Sequence, residues 1–267
     1  MADTVLYEVS EGLATITLNR PEAMNALNVE AKVALREAAR EAAGDPEMRA
    51  ILLTAAGDRA FCVGQDLKEH IGLLAKDRET GSGQTMSTVG EHYNPIVRAL
   101  AGAAKPVVAA VNGVAAGAGF GFALAADYRV VADTASFNTS FAGVALTGDS
   151  GISWTLPRVV GPGRAADLLL FPRSIGARDA LELGIANRVV PSGELRAEAE
   201  KVARELASGP TLAYAAIKEA VAFGLTHSLS ETLDKEDELQ TRAGRSEDHA
   251  IAVQAFVDKR KPRYSGR

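Results

Sequence analysis

Cysteine is nearly absent from this chain. Cys62 stands alone among 267 residues, so no disulfide can form within the chain, a usage that fits a reducing cytoplasm. Charge of one sign is lacking too. The net charge is −5, and the nearest thing to a basic block is the stretch Lys259, Arg260, Lys261, Arg263 and Arg267, which reads as a solvated helix end. Nucleic acid is therefore not an expected partner. Met1 to Ser10 has neither a basic n-region nor an apolar h-region, so no signal peptide is expected there. The uncharged run from Pro106 to Ala126 has the length of a membrane span. Glycines and Asn112 interrupt it, Ala and Gly dominate it, and Asp127 and Arg129 follow at once. It reads as a buried strand running into a buried helix, with no membrane partner.

Common catalytic signatures are missing as well. His70, His92, His227 and His249 have no zinc-like spacing to Cys62 or to one another, so no metal site is expected. Gly148-Asp149-Ser150-Gly151 fails the nucleophile pattern Gly-x-Ser-x-Gly because Ile152 stands where the second Gly belongs. Gly117, Gly119 and Gly121 are spaced Gly-x-Gly-x-Gly, which differs from the dinucleotide fingerprint. No phosphate loop with Gly-Lys-Ser/Thr is present.

What is present is apolar mass: 47% of residues are hydrophobic, enough for one sizeable core. Alternation over 5–9 and 13–19 around Glu11-Gly12 predicts a hairpin. Asn28 reads as the N-cap of a helix over Val29 to Ala43. A buried strand over Ala50 to Thr54 precedes a loop, Gly57 to Asp66, and a helix, Leu67 to Ala75. The polar segment Lys76 to Gly90 reads as mobile. A helix over 93–102, a strand over 106–111, a helix over 117–126 and short strands at 128–132 and 136–137 follow. Helices dominate from Ile152, with a last short strand inside Leu183 to Val190. This order argues for α/β architecture, divided into a core over 1–200 and a helical region over 201–267.

Two segments make chemical sense together. Ala60 to Leu67 and Asn112 to Gly121 each turn through glycine into a helix N-terminus. Free N–H groups at such places bind developing negative charge, and two converging on one oxygen make an oxyanion hole. Taken singly, each segment could equally be a tight turn.

Together they resemble the two signature regions of the crotonase (enoyl-CoA hydratase/isomerase) superfamily. Asn19-Arg20-Pro21 with Asn25-Ala26-Leu27-Asn28, Lys105 to Gly113, Leu181 to Val190 and Ala255 to Arg260 resemble other regions of it, so the resemblance covers nearly the whole chain. It implies a ββα spiral core with a C-terminal helical trimerisation subdomain, assembled as a homotrimer or hexamer. It implies that Val63 and Ala118 hold a thioester oxygen through their N–H groups, although the family usually has Gly at the second position. Coenzyme A, carried as part of the acyl-CoA substrate and not as a separate cofactor, would lie along Ala23, Met24, Gln65, Asp66 and Leu67. Phe256 and Lys259, from a neighbouring subunit, would approach its nucleotide end.

Departures from the family pattern point to the reaction. Two-glutamate hydratases carry acids where this chain has Gly121 and Phe141, and neither can transfer a proton. Asp149 occupies the position where family isomerases carry a single acid/base. One carboxylate can move a double bond from β,γ to α,β by taking the α-proton and returning it at the γ-carbon. Val144, Leu146 and Phe141 are expected to give Asp149 an apolar pocket that raises its pKa. Gly64 to Leu67, Tyr93 to Arg98, Asp149-Ser150-Gly151 with Trp154, and Arg242 to Asp248 resemble the 2-(1,2-epoxyphenyl)acetyl-CoA isomerase branch. Leu146-Thr147-Gly148 departs from the Pro usual just before the Asp. Alternative readings are an enoyl-CoA hydratase, a dehalogenase-like enzyme with His92 as base, and a non-catalytic coenzyme A- or RNA-binding relative.

Overall fold

A computed structural model describes residues 3–81 and 84–267. Met1 and Ala2 of the N-terminal segment, and Ser82 and Gly83 of the segment expected to be mobile, lie outside the described residues. The first strands, β1 (Val5–Ser10) and β2 (Leu13–Leu18), form the expected hairpin. Glu11 and Gly12 both adopt positive φ at its turn, as a tight hairpin connection requires. Helix α1 (Val29–Gly44) begins where Asn28 accepts a bond from the Ala31 N–H at 2.9 Å, a cap worth about 1 kcal/mol.

A repeating unit then builds the core. β3 (Ala50–Ala55) leads to β4 (Ala60–Cys62) and helix α2 (Leu67–Thr80). After α3 (Asn94–Ala101), β5 (Val107–Val111) leads to β6 (Val114–Ala116) and α4 (Ala118–Ala125). Next, β7 (Tyr128–Ala132) leads to β8 (Ser136–Asn138) and α5 (Ile152–Val160). Each ββα turn adds one strand to each of two sheets, which gives the crotonase spiral. Helix α6 (Pro162–Leu170), β9 (Ile175–Gly176), α7 (Ala177–Glu182), β10 (Arg188–Val190) and α8 (Leu195–Ala207) follow. Among the described residues one sheet runs β1-β2-β3-β5-β7-β10 and the other β4-β6-β8-β9. All five residues of β5 are buried, the unbroken apolar reading of a parallel strand covered on both faces.

The second sheet is where sequence reading fell short. β4 lies inside the expected loop Gly57 to Asp66, and β6 and β9 were not expected at all. Strands of two or three residues are too short to show alternation. The segment after α2 also differs. Lys76 to Thr80 are mostly good helix formers and extend α2 to a left-handed Gly81. A 3₁₀ turn (Gln84–Ser87) and a π-helical turn (Val89–Tyr93) then lead into α3, and the Thr85 N–H donates to Asp77 Oδ2 at 2.7 Å.

Residue 200 falls inside α8, whose buried Ala199, Ala203 and Ala207 pack across β3, β5 and β7. Beyond it, α9 (Thr211–Gly224), α10 (Leu229–Gly244) and α11 (Glu247–Val257) complete the chain. Among the described residues no helix is long and apolar enough to cross a membrane.

Candidate active site

Two loops are locked together by glycine. A Cβ built on Gly64 would lie 3.1 Å from the Ala116 carbonyl oxygen and 3.3 Å from the Ala118 nitrogen, and one on Gly119 would lie 2.1 Å from the Cys62 carbonyl oxygen. The end of β4 and the start of α4 therefore meet backbone to backbone, at a separation that on the Gly119 side no side chain tolerates. Gly64 (φ +83) and Gly117 (φ +54) both need the positive φ that glycine adopts without strain. Ala118 is the first residue of α4, so its N–H has no acceptor within the helix. Neither it nor the Val63 N–H donates in the turn, loop and cap bonds of the described residues.

The first loop is tied to the N-terminal turn. Leu27 N donates to Gly64 O at 2.8 Å and Asp66 N to Leu27 O at 3.1 Å. The buried Asn25 side chain donates to Ala56 O and Ala60 O, which fixes Ala23 and Met24 beside the 64–67 turn. Asp66 caps α2 by accepting from the Lys68 and Glu69 N–H groups, and it pairs with Arg20 at 3.0 Å. Burial works against its charge, but the Arg20 hydrogen bond and those N–H groups hold the carboxyl below its ordinary value. The structure thus ties the 20–27 turn, which carries Ala23 and Met24, to the turn that carries Gln65, Asp66 and Leu67. Phe256 is 86% exposed on α11, and Lys259 follows that helix. Within one chain nothing covers Phe256.

Asp149 sits in a sharp turn before α5. Ser150, fully buried, takes φ +50 and Gly151 φ +75, and Ser150 Oγ donates to Asp149 Oδ1 at 2.8 Å. Burial pushes the Asp149 carboxyl above its ordinary pKa, while the Ser150 hydrogen bond and the Lys32 charge pull it back down. The apolar surroundings differ from those expected. Val144 and Leu146 are 55% and 45% exposed, because the 3₁₀ turn Ala142–Val144 ends in a left-handed Ala145 that leaves them in solvent. Phe141 is buried, with its ring against Gly117. The Asp149 turn packs instead on α3 and α4. A Cβ on Gly151 would meet Val97, and one on Gly121 would lie 2.6 Å from Ser150 Cβ and Ser150 O.

Two further residues belong to this place. Tyr93 is 2% exposed and donates its hydroxyl to Gln65 Oε1 at 2.8 Å. Burial and then the Asp149 charge hold its phenol proton firmly. Lys32, 1% exposed, sets its ammonium 5.6 Å from the Tyr93 ring centre. His92 lies with Nδ1 3.2 Å from Arg36, and burial, Arg36 and Lys32 lower its pKa. Lys32 was missed in the sequence, although it shares the buried α1 face with Leu35 and Ala42. That helical spacing was the available signal.

Comparison with known proteins agrees with this architecture. The sequence profile of the enoyl-CoA hydratase/isomerase family matches residues 8–267. A Rhodobacter capsulatus protein named probable enoyl-CoA hydratase is 43% identical over 99% of this chain and 98% of its own length. The 1,2-epoxyphenylacetyl-CoA isomerase of Escherichia coli is 40% identical over the whole of both chains. A crystal structure from Mycobacterium abscessus, named for enoyl-CoA hydratase/isomerase, superposes with TM-score 0.94 at 43% identity, covering 98% of this chain and 100% of its own.

Proposed function

The chain belongs to the enoyl-CoA hydratase/isomerase family, and we propose that within it this enzyme isomerises acyl-CoA thioesters with Asp149 as its one acid/base. The observation that carries the reading is the contact between Gly121 and Ser150. Where a two-glutamate hydratase needs an acid, the space belongs to the turn that presents Asp149. The second acid position is Phe141, buried against the other end of the same helix start.

In the proposed reaction the thioester oxygen sits between the Val63 and Ala118 N–H groups. The Asp149 carboxylate takes a proton from the α-carbon, the electron pair moves into a dienolate held by those two donors, and the same proton returns at the γ-carbon. No atom is gained or lost, and coenzyme A enters as part of the substrate, along Ala23, Met24 and Gln65 to Leu67. One well-placed oxyanion donor is worth about 3 kcal/mol in the barrier. Tyr93 positions Gln65 and, through it, the edge of the hole. The Escherichia coli relative is named for isomerising another thioester, 1,2-epoxyphenylacetyl-CoA, and that acyl group is a second substrate candidate here.

A paired assay tests the proposal. With a β,γ-enoyl-CoA, the expected product is the conjugated thioester of unchanged mass. With an α,β-enoyl-CoA, no rapid gain of one water is expected. Fast hydration of the second substrate would make the enzyme a hydratase, as the Rhodobacter capsulatus relative is named, and would remove the argument from Gly121 and Phe141.

We also propose that the chain works as a trimer or a hexamer of two trimers. Ile217, Val221, Leu229, Leu233, Phe256 and Val257 leave large apolar area exposed on α9, α10 and α11, more than a lone chain ordinarily leaves to water. Sedimentation equilibrium should return three or six chain masses. A stable monomer would reject both the assembly and the role given to Phe256 and Lys259 across a subunit boundary.

A further inference from the structure

Lys32 is a buried cation with no hydrogen bond among the described residues. The comparison inside this molecule is Lys105, also buried, whose ammonium donates to Ala42 O at 3.0 Å and Asp45 O at 2.6 Å. Among the described residues the Lys32 ammonium has the Tyr93 ring, the more distant Glu69, Asp66 and Asp149 charges, and His92 as neighbours, with no hydrogen bond to any of them. Burying an ammonium is costly unless partners satisfy it. Lys32 lines a cavity of about 300 Å³ between α1, α2 and the turns that follow α2. Thr85 and Thr88 also line that cavity, and both hydroxyls are buried without a partner. Two unpartnered hydroxyls and a lysine therefore share one space, next to Tyr93.

We propose that this cavity seats the far part of the acyl group, and that Lys32, Thr85 and Thr88 select thioesters whose acyl chain carries a neutral acceptor oxygen, a ketone or hydroxyl. The inference rests on the acyl-CoA reading of the site and deepens it. The donors call for an acceptor. On the cavity wall the Asp77 and Glu91 carboxylates offset the Lys32 and Lys76 cations, and Asp149 is nearby, so no net positive charge is left there to hold a carboxylate. A plain alkyl chain would leave both hydroxyls without a partner and add none for the ammonium, which is how buried polar groups reject an analogue that lacks the matching atom.

Calorimetry with saturated thioesters tests this without any chemistry. Hexanoyl-CoA, 4-oxohexanoyl-CoA, 5-oxohexanoyl-CoA and hexanedioyl-CoA are titrated into the full-length protein. One of the two oxo compounds should bind at least about tenfold tighter than hexanoyl-CoA, the worth of a hydrogen bond to a charged donor. In Lys32→Met that ratio should fall towards one. The variant should also melt a few degrees higher, about 2–4 °C, because an unpaired buried charge has gone, and this verifies that it folds. Thr85→Val, which leaves Lys32 in place, should lower the ratio as well. Equal affinities in the wild type, an oxo preference that survives Lys32→Met, or tightest binding of hexanedioyl-CoA would each overturn the proposal. Saturated thioesters cannot isomerise, so a failed double-bond assay leaves this result standing. Equal affinities beside fast isomerisation would reject this inference alone.

Discussion

Asp149→Asn is expected to lower α-proton exchange by about 10²–10⁴-fold, the usual worth of a positioned acid/base, while leaving acyl-CoA binding nearly unchanged. The amide keeps the shape of the carboxyl and can still accept the Ser150 Oγ–H bond, so the turn has no reason to move. What it lacks is a group that takes and returns a proton. Deuterium uptake at the α-carbon, followed by mass, reads the first quantity, and calorimetry with a saturated thioester reads the second. The pH dependence gives an independent check. Burial raises the folded-state pKa of Asp149 above its ordinary 3.8, and the base form is the active one. The acid limb of kcat/KM should then lie at higher pH than for an ordinary aspartate, and the variant should lack it. The stability sign follows from the same shift. A carboxyl with a raised folded pKa stabilises the fold fully below its unfolded pKa and loses that contribution as pH rises through the folded value. At neutral pH the variant should therefore melt above the wild type. Exchange that persists near the wild-type rate would make Asp149 a turn residue and move the acid/base elsewhere.

What the sequence made legible follows from the length and strength of each pattern. The long helices declare themselves because ten or so residues agree on one period, the Asn28 cap by its side chain before such a run, and β5 by five consecutive apolar residues. The glycines at 64, 117 and 119 declare themselves because only glycine fits there, and they mark where the two halves of the candidate hole touch. Most of the second sheet stayed hidden, since β4 and β6 hold three residues each and β9 two, and they owe their pairing to neighbours far along the chain; of its strands only β8, at 136–138, was expected. The surroundings of Asp149 were misjudged for a related reason. Val144 and Leu146 are near it in sequence, but a left-handed Ala145 sends that stretch outward. The groups that burial does bring near, Lys32 and Tyr93, lie 117 and 56 positions away in sequence. Lysine is also the residue least expected inside, so its place on the buried stripe of α1 reads from sequence as an exception to the pattern.

Installing the absent acid, Gly121→Glu, is expected to destroy isomerisation without creating a hydratase. Substitution at Gly121 begins with a Cβ 2.6 Å from both Ser150 Cβ and the Ser150 carbonyl oxygen. Ser150 has little freedom to yield. It is wholly buried, it already holds a left-handed conformation, and the next residue, Gly151, is closed in by Val97. The added side chain must therefore displace the turn that presents Asp149, or α4 must tilt away from the end of β4 and separate Ala118 from Val63. Either movement reaches the reacting centre, where a shift of about 1 Å can cost about 10²-fold in rate. Overpacking of a tight core adds a loss of about 1–3 kcal/mol in stability. Gly121→Ala carries the same first overlap without charge or reach, so it should reproduce much of the loss in melting temperature and part of the loss in rate. If both variants melted like the wild type, the contact between α4 and the Asp149 turn would be soft. If Gly121→Glu added water to an α,β-enoyl-CoA at an appreciable rate, the one-aspartate and two-glutamate arrangements would be compatible in this backbone. The expectation is that they exclude each other, because one pocket of space beside the thioester holds either a glutamate from α4 or the Ser150 that supports Asp149.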